Sequence, residues 1–297
     1  MDPKTEIREF LASRRAKISP QQAGLADYGG ARRVPGLRRE EVAMLAGVSV
    51  DYYVRLERGN LAGASEAVLE SIARALQLDE AERGHLFALA RAASTSGARR
   101  RGRPAPARVR PGVQRLLDAV TDAPAWVRNG HMDFLAANRL GRALYSELLA
   151  SPVRPVNSAR FLFLDRRSRE FYVDWEKGAD DIVAILRAEA GRTPYDPALT
   201  ELVGELSTRS EAFATRWAAH NVRYHRTGVK RLHHPVVGDL ELDYEALDLP
   251  GDPGLRMFVY TAAPGSPSAD ALALLASWAA TQDQAAAAGT AVHHTAD

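Results

Sequence analysis

Apolar residues recur at helical spacing over the first third of the chain. Ile7, Phe10 and Leu11 mark a helix over residues 4–17, with Arg8, Arg14, Arg15 and Lys17 on its polar side. An irregular stretch with several Gly and Pro follows, from Ser19 to Gly36. Leu37 to Asn60, LRREEVAMLAGVSVDYYVRLERGN, then reads as helix, tight turn, helix. Ser65 can cap a helix carrying Val68, Leu69, Ile72, Ala73 and Leu76, and Asp79 another carrying Leu86, Phe87, Leu89 and Ala90. These five helices predict an all-α domain over residues 1–93.

The pattern changes after Pro111. A helix with Val113, Leu116, Leu117 and Val120 leads to two short apolar runs on either side of Asn129-Gly130, which is a hairpin signal. Asn138 then opens a helix with Leu140, Leu144, Tyr145 and Leu148. Helices are expected over residues 158–172, 179–190, 197–208 and 211–220. Leu240, Leu242 and Tyr244 alternate with Asp239, Glu241, Asp243 and Glu245, the period of a half-buried strand. Leu255 to Thr261 is apolar at nearly every position, as in a central strand, and a helix starts at Ser266 or Ser268 and runs through Trp278. Strands, helices, strands and a helix make an α+β domain with an antiparallel sheet over residues 111–280. Residues 94–110, rich in Arg, Pro and small residues, read as a linker, and the Ala-rich residues 281–297 as a disordered tail.

The helical pair around Gly47 has a specific geometry. Ala43 is small enough for two helices to cross closely, Gly47 suits the left-handed end of a helix, and Ser49 suits the cap of the next. Val48 can pack on Tyr53 as a hydrophobic staple. At 100° per residue Asp51, Tyr52, Arg55 and Arg58 share one stripe, while Tyr53 and Leu56 point elsewhere. One face packs and the other offers polar and cationic tips, which is the arrangement of a helix-turn-helix entering the DNA major groove. The DNA-facing set is Ser49, Val50, Asp51, Tyr52, Arg55 and Arg58, with Arg38 and Arg39 opening the first helix of the pair and Arg32 and Arg33 in the preceding loop. Those two loop arginines either touch phosphate or are solvated charges of an extended loop.

Charge agrees with this placement. Residues 1–110 hold 20 Lys and Arg against 13 Asp and Glu, and the remainder holds 19 against 24. The basic half is the half with the helix-turn-helix, as phosphate binding requires. The chain has no cysteine, so disulfides and thiolate metal sites are excluded. No apolar segment follows a basic N-terminus and no run approaches the length of a membrane span, so a cytoplasmic location without membrane contact is expected.

The motif Ala43, Gly47-Val48-Ser49, Leu56-Glu57-Arg58-Gly59 resembles the phage-repressor-like (XRE) class of helix-turn-helix. Over residues 5–280 the likeness is wider. RRVPGLRREEVAMLAGVSVDYYVRLERG, NSARFLFLD, FYVDWE, LVGELSTRS, HHPVVGDLELDYEALDLP and YTAAPGSPS resemble the MmyB-like actinobacterial transcription regulators. That resemblance implies an XRE-type domain joined to a PAS-like ligand-binding domain that takes small apolar ligands, a fatty acid among them.

Three roles remain open for the second domain. Catalysis lacks its motifs: there is no G-x-S-x-G, G-x-G-x-x-G, P-loop or Cys, so no enzyme activity and no cofactor are expected. His220, His225, His233 and His234 lack metal-ligand spacing, because neighbours on a strand point to opposite faces. A sensor would use an aromatic pocket with polar anchors, and Trp126, Asn138, Arg160, Phe161, Phe163, Tyr172, Trp175, Arg209, Phe213 and Trp217 are the candidates. Helical periodicity puts Arg209, Phe213 and Trp217 on one face, so Arg209 is the expected carboxylate anchor, its rival role being a pair with Glu205. A scaffold would only dimerise the DNA readers. A homodimer on an inverted-repeat operator is expected under either the sensor or the scaffold reading.

Overall fold

The computed structural model describes residues 3–25, 34–94, 108–222 and 226–294. The apolar spacing of the first third becomes α1 (Pro3–Lys17), α2 (Arg39–Ala46), α3 (Val50–Glu57), α4 (Glu66–Ala75) and α5 (Glu80–Ser94). After residue 108 come α6 (Pro111–Ala119), β1 (Ala125–Arg128), β2 (Phe134–Ala137), α7 (Arg139–Leu144), α8 (Ser146–Leu149), α9 (Ser158–Leu164), α10 (Arg167–Phe171), α11 (Trp175–Arg192), α12 (Pro197–Arg209) and α13 (Glu211–Ala218). The chain closes with β3 (Thr227–His234), β4 (Gly238–Asp248), β5 (Arg256–Thr261) and α14 (Pro267–His294).

Local chemistry explains the breaks. Gly47 takes φ 66° and ψ 33°, a left-handed cap that only glycine adopts freely, and Ser49 then accepts the Tyr52 amide at 3.2 Å to start α3. The single helix expected over residues 158–172 is two. Asp165 is extended (φ −106°, ψ 125°) and takes the Arg167 amide on its carboxylate at 3.0 Å, ending α9 and turning the chain into α10. The Ala-rich residues expected to be disordered from 281 continue α14 to His294, in keeping with alanine's helix propensity.

By spatial contact the chain divides into two units: Met1–Arg103 with Val183–Tyr224, and Pro104–Ile182 with His225–Asp297. Sequence had placed the helices of residues 179–220 with the sheet. In the structure most of that segment belongs with the helix-turn-helix. The first unit has one apolar core, built on Ile7, Phe10, Leu11, Leu37, Tyr53, Leu56, Leu61, Ile72 and Leu86, and Val222 is part of it.

The second unit is organised on an antiparallel sheet of order β2-β1-β5-β4-β3. The register Trp126 opposite Phe258 and Tyr244 opposite Tyr260 puts these rings on one face. The other face holds Ala125, Val127 and Met257 under Val113 and Leu117 of α6. β3 was foreseen only around its two histidines, and they do point apart, His233 outward and His234 fully buried.

Asn138 docks α7 on the sheet. Its carbonyl oxygen accepts from Gly141 at 2.7 Å and Ala125 at 3.0 Å, and its amide donates to the Val120 and Ala123 carbonyls, each at 2.7 Å. Gly141 faces the strand so closely that a Cβ there would lie 2.5 Å from the Ala125 carbonyl oxygen. Gly141→Ala is therefore expected to lower stability by about 1–3 kcal/mol, read by denaturant titration of the full chain. An unchanged midpoint would show that α7 is free to shift.

Candidate functional sites

In the first unit the exposed stripe of α3 forms as expected. Tyr53 and Leu56 are fully buried, while Ser49, Val50, Asp51, Arg55 and Arg58 are exposed. Tyr52 is half-buried, and the Arg55 guanidinium sits over its ring, 4.7 Å from the centroid. Val50 adds an exposed apolar tip at the first turn. The residues flanking α2 divide. Arg38 caps α2 with its amide on Glu41 at 2.6 Å and lies 3.7 Å from Glu40, leaving its side chain largely exposed. Arg39, read as DNA-facing, also pairs with the buried Glu57 carboxylate, which accepts Arg15 of α1 at 2.7 Å as well. A carboxylate buried at the end of α3 needs cationic partners, and Arg39 meets it while its own side chain stays half-exposed. Arg32 and Arg33 lie outside the described residues.

A second polar cluster occupies the same unit, and no local sequence signal announced it. Glu6 of α1 accepts both Arg187 contacts, at 2.6 and 2.7 Å, through Nη1. His220 Nδ1 lies 2.9 Å from the same Arg187 nitrogen. Arg187 also donates to the Trp217 carbonyl and stacks 3.8 Å from the Trp217 ring centroid. Arg14 joins the cluster by donating to Glu82 and to the His220 carbonyl. The His85 ring stands edge-on to Phe10, its Nε2 3.7 Å from Glu6 and beyond hydrogen-bond reach. Burial alone would raise the Glu6 pKa. The His220 and His85 imidazoles and the Arg187 guanidinium outweigh it and hold the carboxyl well below its ordinary range. Burial pushes the His85 pKa down, so this imidazole stays neutral.

The ligand candidates separate into two groups. Trp126, Asn138, Arg160, Phe161, Phe163, Tyr172 and Trp175 belong to the second unit, and Arg209, Phe213 and Trp217 to the first. The proposed Arg209 face is corrected by the structure. Ser210 is extended (φ −137°, ψ 109°), ends α12 and caps α13, so Arg209 and Phe213 are on different helices. Arg209 is exposed and holds Glu205 at 2.8 Å. Phe213 is fully buried and stacks on Trp217, 5.6 Å between centroids, beside the Arg187 cluster. Asn138 is likewise removed as a ligand residue, because all four of its hydrogen-bonding positions are spent on backbone. The Trp175 indole donates to the Leu162 carbonyl at 3.1 Å, a structural bond that ties α11 to α9. Arg160 is half-buried on α9.

What the structure does bring together is an aromatic interior on one face of the sheet. Trp126 stacks between Phe134 at 4.9 Å and Phe258 at 5.0 Å, and Tyr145 lies 5.3 Å from it. Phe161, Phe171 and Tyr172 continue the wall. Its polar centre is the Tyr145–Tyr260 hydroxyl pair, 2.8 Å apart, and burial raises both phenols above their ordinary pKa. Arg128, buried on the same face, holds its guanidinium 5.0 Å from the Phe258 centroid. Of these, sequence reading named Trp126, Phe161 and Tyr172. The remaining rings are separated along the chain, and pairing of β1 with β5 collects them. A groove of about 450 Å³ lies elsewhere in this unit, along Arg231, Leu232, Asp239, Glu241 and Ser268, and none of the expected ligand residues lines it.

Among the described residues no group of three or more His, Asp or Glu is placed to hold a metal ion, and no helix is long and apolar enough to cross a membrane.

The two buried acid–base groups of the first unit give a pH dependence. The unfolded chain takes up a proton on His85 near the ordinary imidazole value of 6.5 and on Glu6 near the ordinary carboxyl value of 4.5, while the folded chain resists both. The unfolded state therefore binds more protons as pH falls, and stability must fall too. The denaturation midpoint is expected to drop as pH is lowered from 6.5, and again below 4.5. His85→Gln should flatten the upper part of that decline and leave the lower part. A wild-type midpoint constant across both windows contradicts the assignment.

A family model described as the MmyB-like transcription regulator ligand binding domain matches residues 109–275, and a helix-turn-helix domain model matches residues 7–86. No curated protein matches the chain. Both models describe regulatory domains, one binding DNA and one binding a ligand, and neither describes an enzyme.

Proposed function

From the premise that this chain belongs to the MmyB-like transcription regulators, a DNA-binding regulator with a ligand-binding domain, we propose that α3 reads operator bases and that the aromatic interior takes a small apolar effector. The observation that carries the first part is the exposed polar stripe of α3 within the matched helix-turn-helix. Arg55, at its centre, is suited to guanine O6 and N7, and Val50 to a thymine methyl. Asp51, Tyr52, Arg58 and the Ser49 cap flank them, and Arg38 faces the backbone. Arg32 and Arg33 are retained as phosphate contacts from the preceding loop. A single module of this size reads few base pairs, so a homodimer on an inverted repeat supplies the remaining specificity. The chain acts in the cytoplasm, as a regulator and not an enzyme. Its helix-turn-helix is of the XRE type.

For the effector, the strand order β2-β1-β5-β4-β3 supports a PAS-like domain. The rings of Trp126, Phe134, Tyr145 and Phe258 touch one another, so an apolar chain enters by parting them. The Tyr145–Tyr260 pair and Arg128 offer donors to a carboxylate, which fits a fatty-acid-like molecule. No resident cofactor is required.

Arg55→Ala should cost about 1–3 kcal/mol of binding free energy at one operator position and relax specificity there. Binding-site selection that returns the wild-type motif at wild-type affinity would place the reading face elsewhere. For the effector, the full chain is the right sample, because residues 183–224 pack with the helical unit. Mass spectrometry of the denatured, purified chain should release an apolar acid, and added palmitate should change the tryptophan fluorescence of protein stripped of it, a change that Trp126→Phe should diminish. A stripped chain with unchanged fluorescence and no released molecule favours a scaffold without effector.

A further inference from the structure

Residues 183–224 lie inside the stretch matched by the ligand-binding family, yet they pack within the same unit as the helix-turn-helix. Helix α11 crosses this division without a break: residues 175–182 count with the sheet and residues 183–192 with the helical unit. One buried side chain fastens it there. Arg187 is almost wholly buried and is bound to Glu6 of α1, to the Trp217 carbonyl at the end of α13 and, through the shared nitrogen, to His220.

α1 is in turn seated directly on the DNA-reading pair. Arg15 holds Glu57, the last residue of α3, at 2.7 Å, and donates to the Leu37 carbonyl at 2.8 Å ahead of α2. At its other end α1 is flush with Gly59, just past α3, where a Cβ would stand 2.6 Å from the Lys4 carbonyl oxygen. α1 is thus held to α3 at both ends and to α11 near its start. Close-packed helices transmit a displacement because contacts of this kind have little room to absorb it.

We propose that the Arg187–Glu6 pair is a conformational pin: it ties the position of α11 to that of α1 and so to the recognition helix, making α11 the element through which the ligand-binding unit acts on DNA reading. The pin itself stands on contacts within the helical unit. Its regulatory meaning rests on the function proposed above.

The test is hydrogen–deuterium exchange of the full chain, with and without a duplex taken from binding-site selection. Arg187→Met leaves a carboxylate buried without its guanidinium and can unfold the unit. The double variant Glu6→Gln/Arg187→Met removes both charges and keeps the experiment interpretable. In the free protein, the double variant should exchange at least about tenfold faster in α1, α3 and α13, with α4 unchanged. In wild type, duplex binding should alter protection in residues 175–182 of α11, and by reciprocity of linkage that response should vanish in the variant. Unchanged exchange of α3 in the free variant overturns the pin, whether or not DNA binds. An identical duplex-induced response in both proteins overturns the coupling. A wild type that binds no selected duplex tells against the proposed DNA reading, while the free-protein comparison still decides the pin.

Discussion

A guanidinium buried in a helical bundle is costly unless every hydrogen it carries is directed at an acceptor and its charge is met. Arg187 comes close to that condition: carboxylate, carbonyl, imidazole and an indole face surround it. Because its partners come from α1 and α13, the cluster specifies which helices may lie together. Apolar contacts alone are tolerant of rotation and slip; a buried ion pair with aimed donors is not. Glu6 pays for its own burial in the same way, staying ionised because cationic and imidazole groups converge on it. Removing either partner leaves the other exposed to the full penalty of desolvation.

The same logic recurs at Glu57. A carboxylate at the end of α3 is shielded from solvent and is met by Arg15 and Arg39. Two buried acids on neighbouring helices thus lock α1 against the reading pair from one side and against α11 and α13 from the other. Between them runs the apolar core of Ile7, Phe10, Leu11 and Tyr53, which supplies the bulk of the burial while the ion pairs supply orientation. Asp51, Arg55 and Arg58 stand clear of these networks, so α3 keeps an exposed polar face.

The second unit follows different physics. Its sheet carries aromatic rings in register on one face, and a phenol pair and a guanidinium are among the polar groups there. Rings in edge and stacked contact hold one another by modest energies. Such an interior can be parted by an apolar molecule at moderate cost, whereas the ionic cluster of the helical unit cannot be loosened without stranding a charge.

Much of this was legible along the chain. Gly47, the Ser49 cap and the stripe of α3 depend on residues within a few positions of one another, and local spacing sufficed to place the exposed stripe. Asn138 as a helix cap and the alternation of β4 are local in the same sense. The likeness of motifs across residues 5–280 named the family. What lay out of reach depends on partners far apart in sequence. Periodicity shows that residues 183–220 are helical and amphipathic, but not against what they pack; that was decided when Arg187 met Glu6, 181 positions away. The Arg209 face failed because it carried one helical period across the break between two helices, where Ser210 is extended and starts α13 afresh. The aromatic interior required the pairing of β1 with β5, a contact between strands more than a hundred residues apart that no local pattern encodes. Local spacing determines elements and faces, and only the closing of the chain on itself decides which faces meet, because the energy that selects them lies in long-range burial and charge pairing.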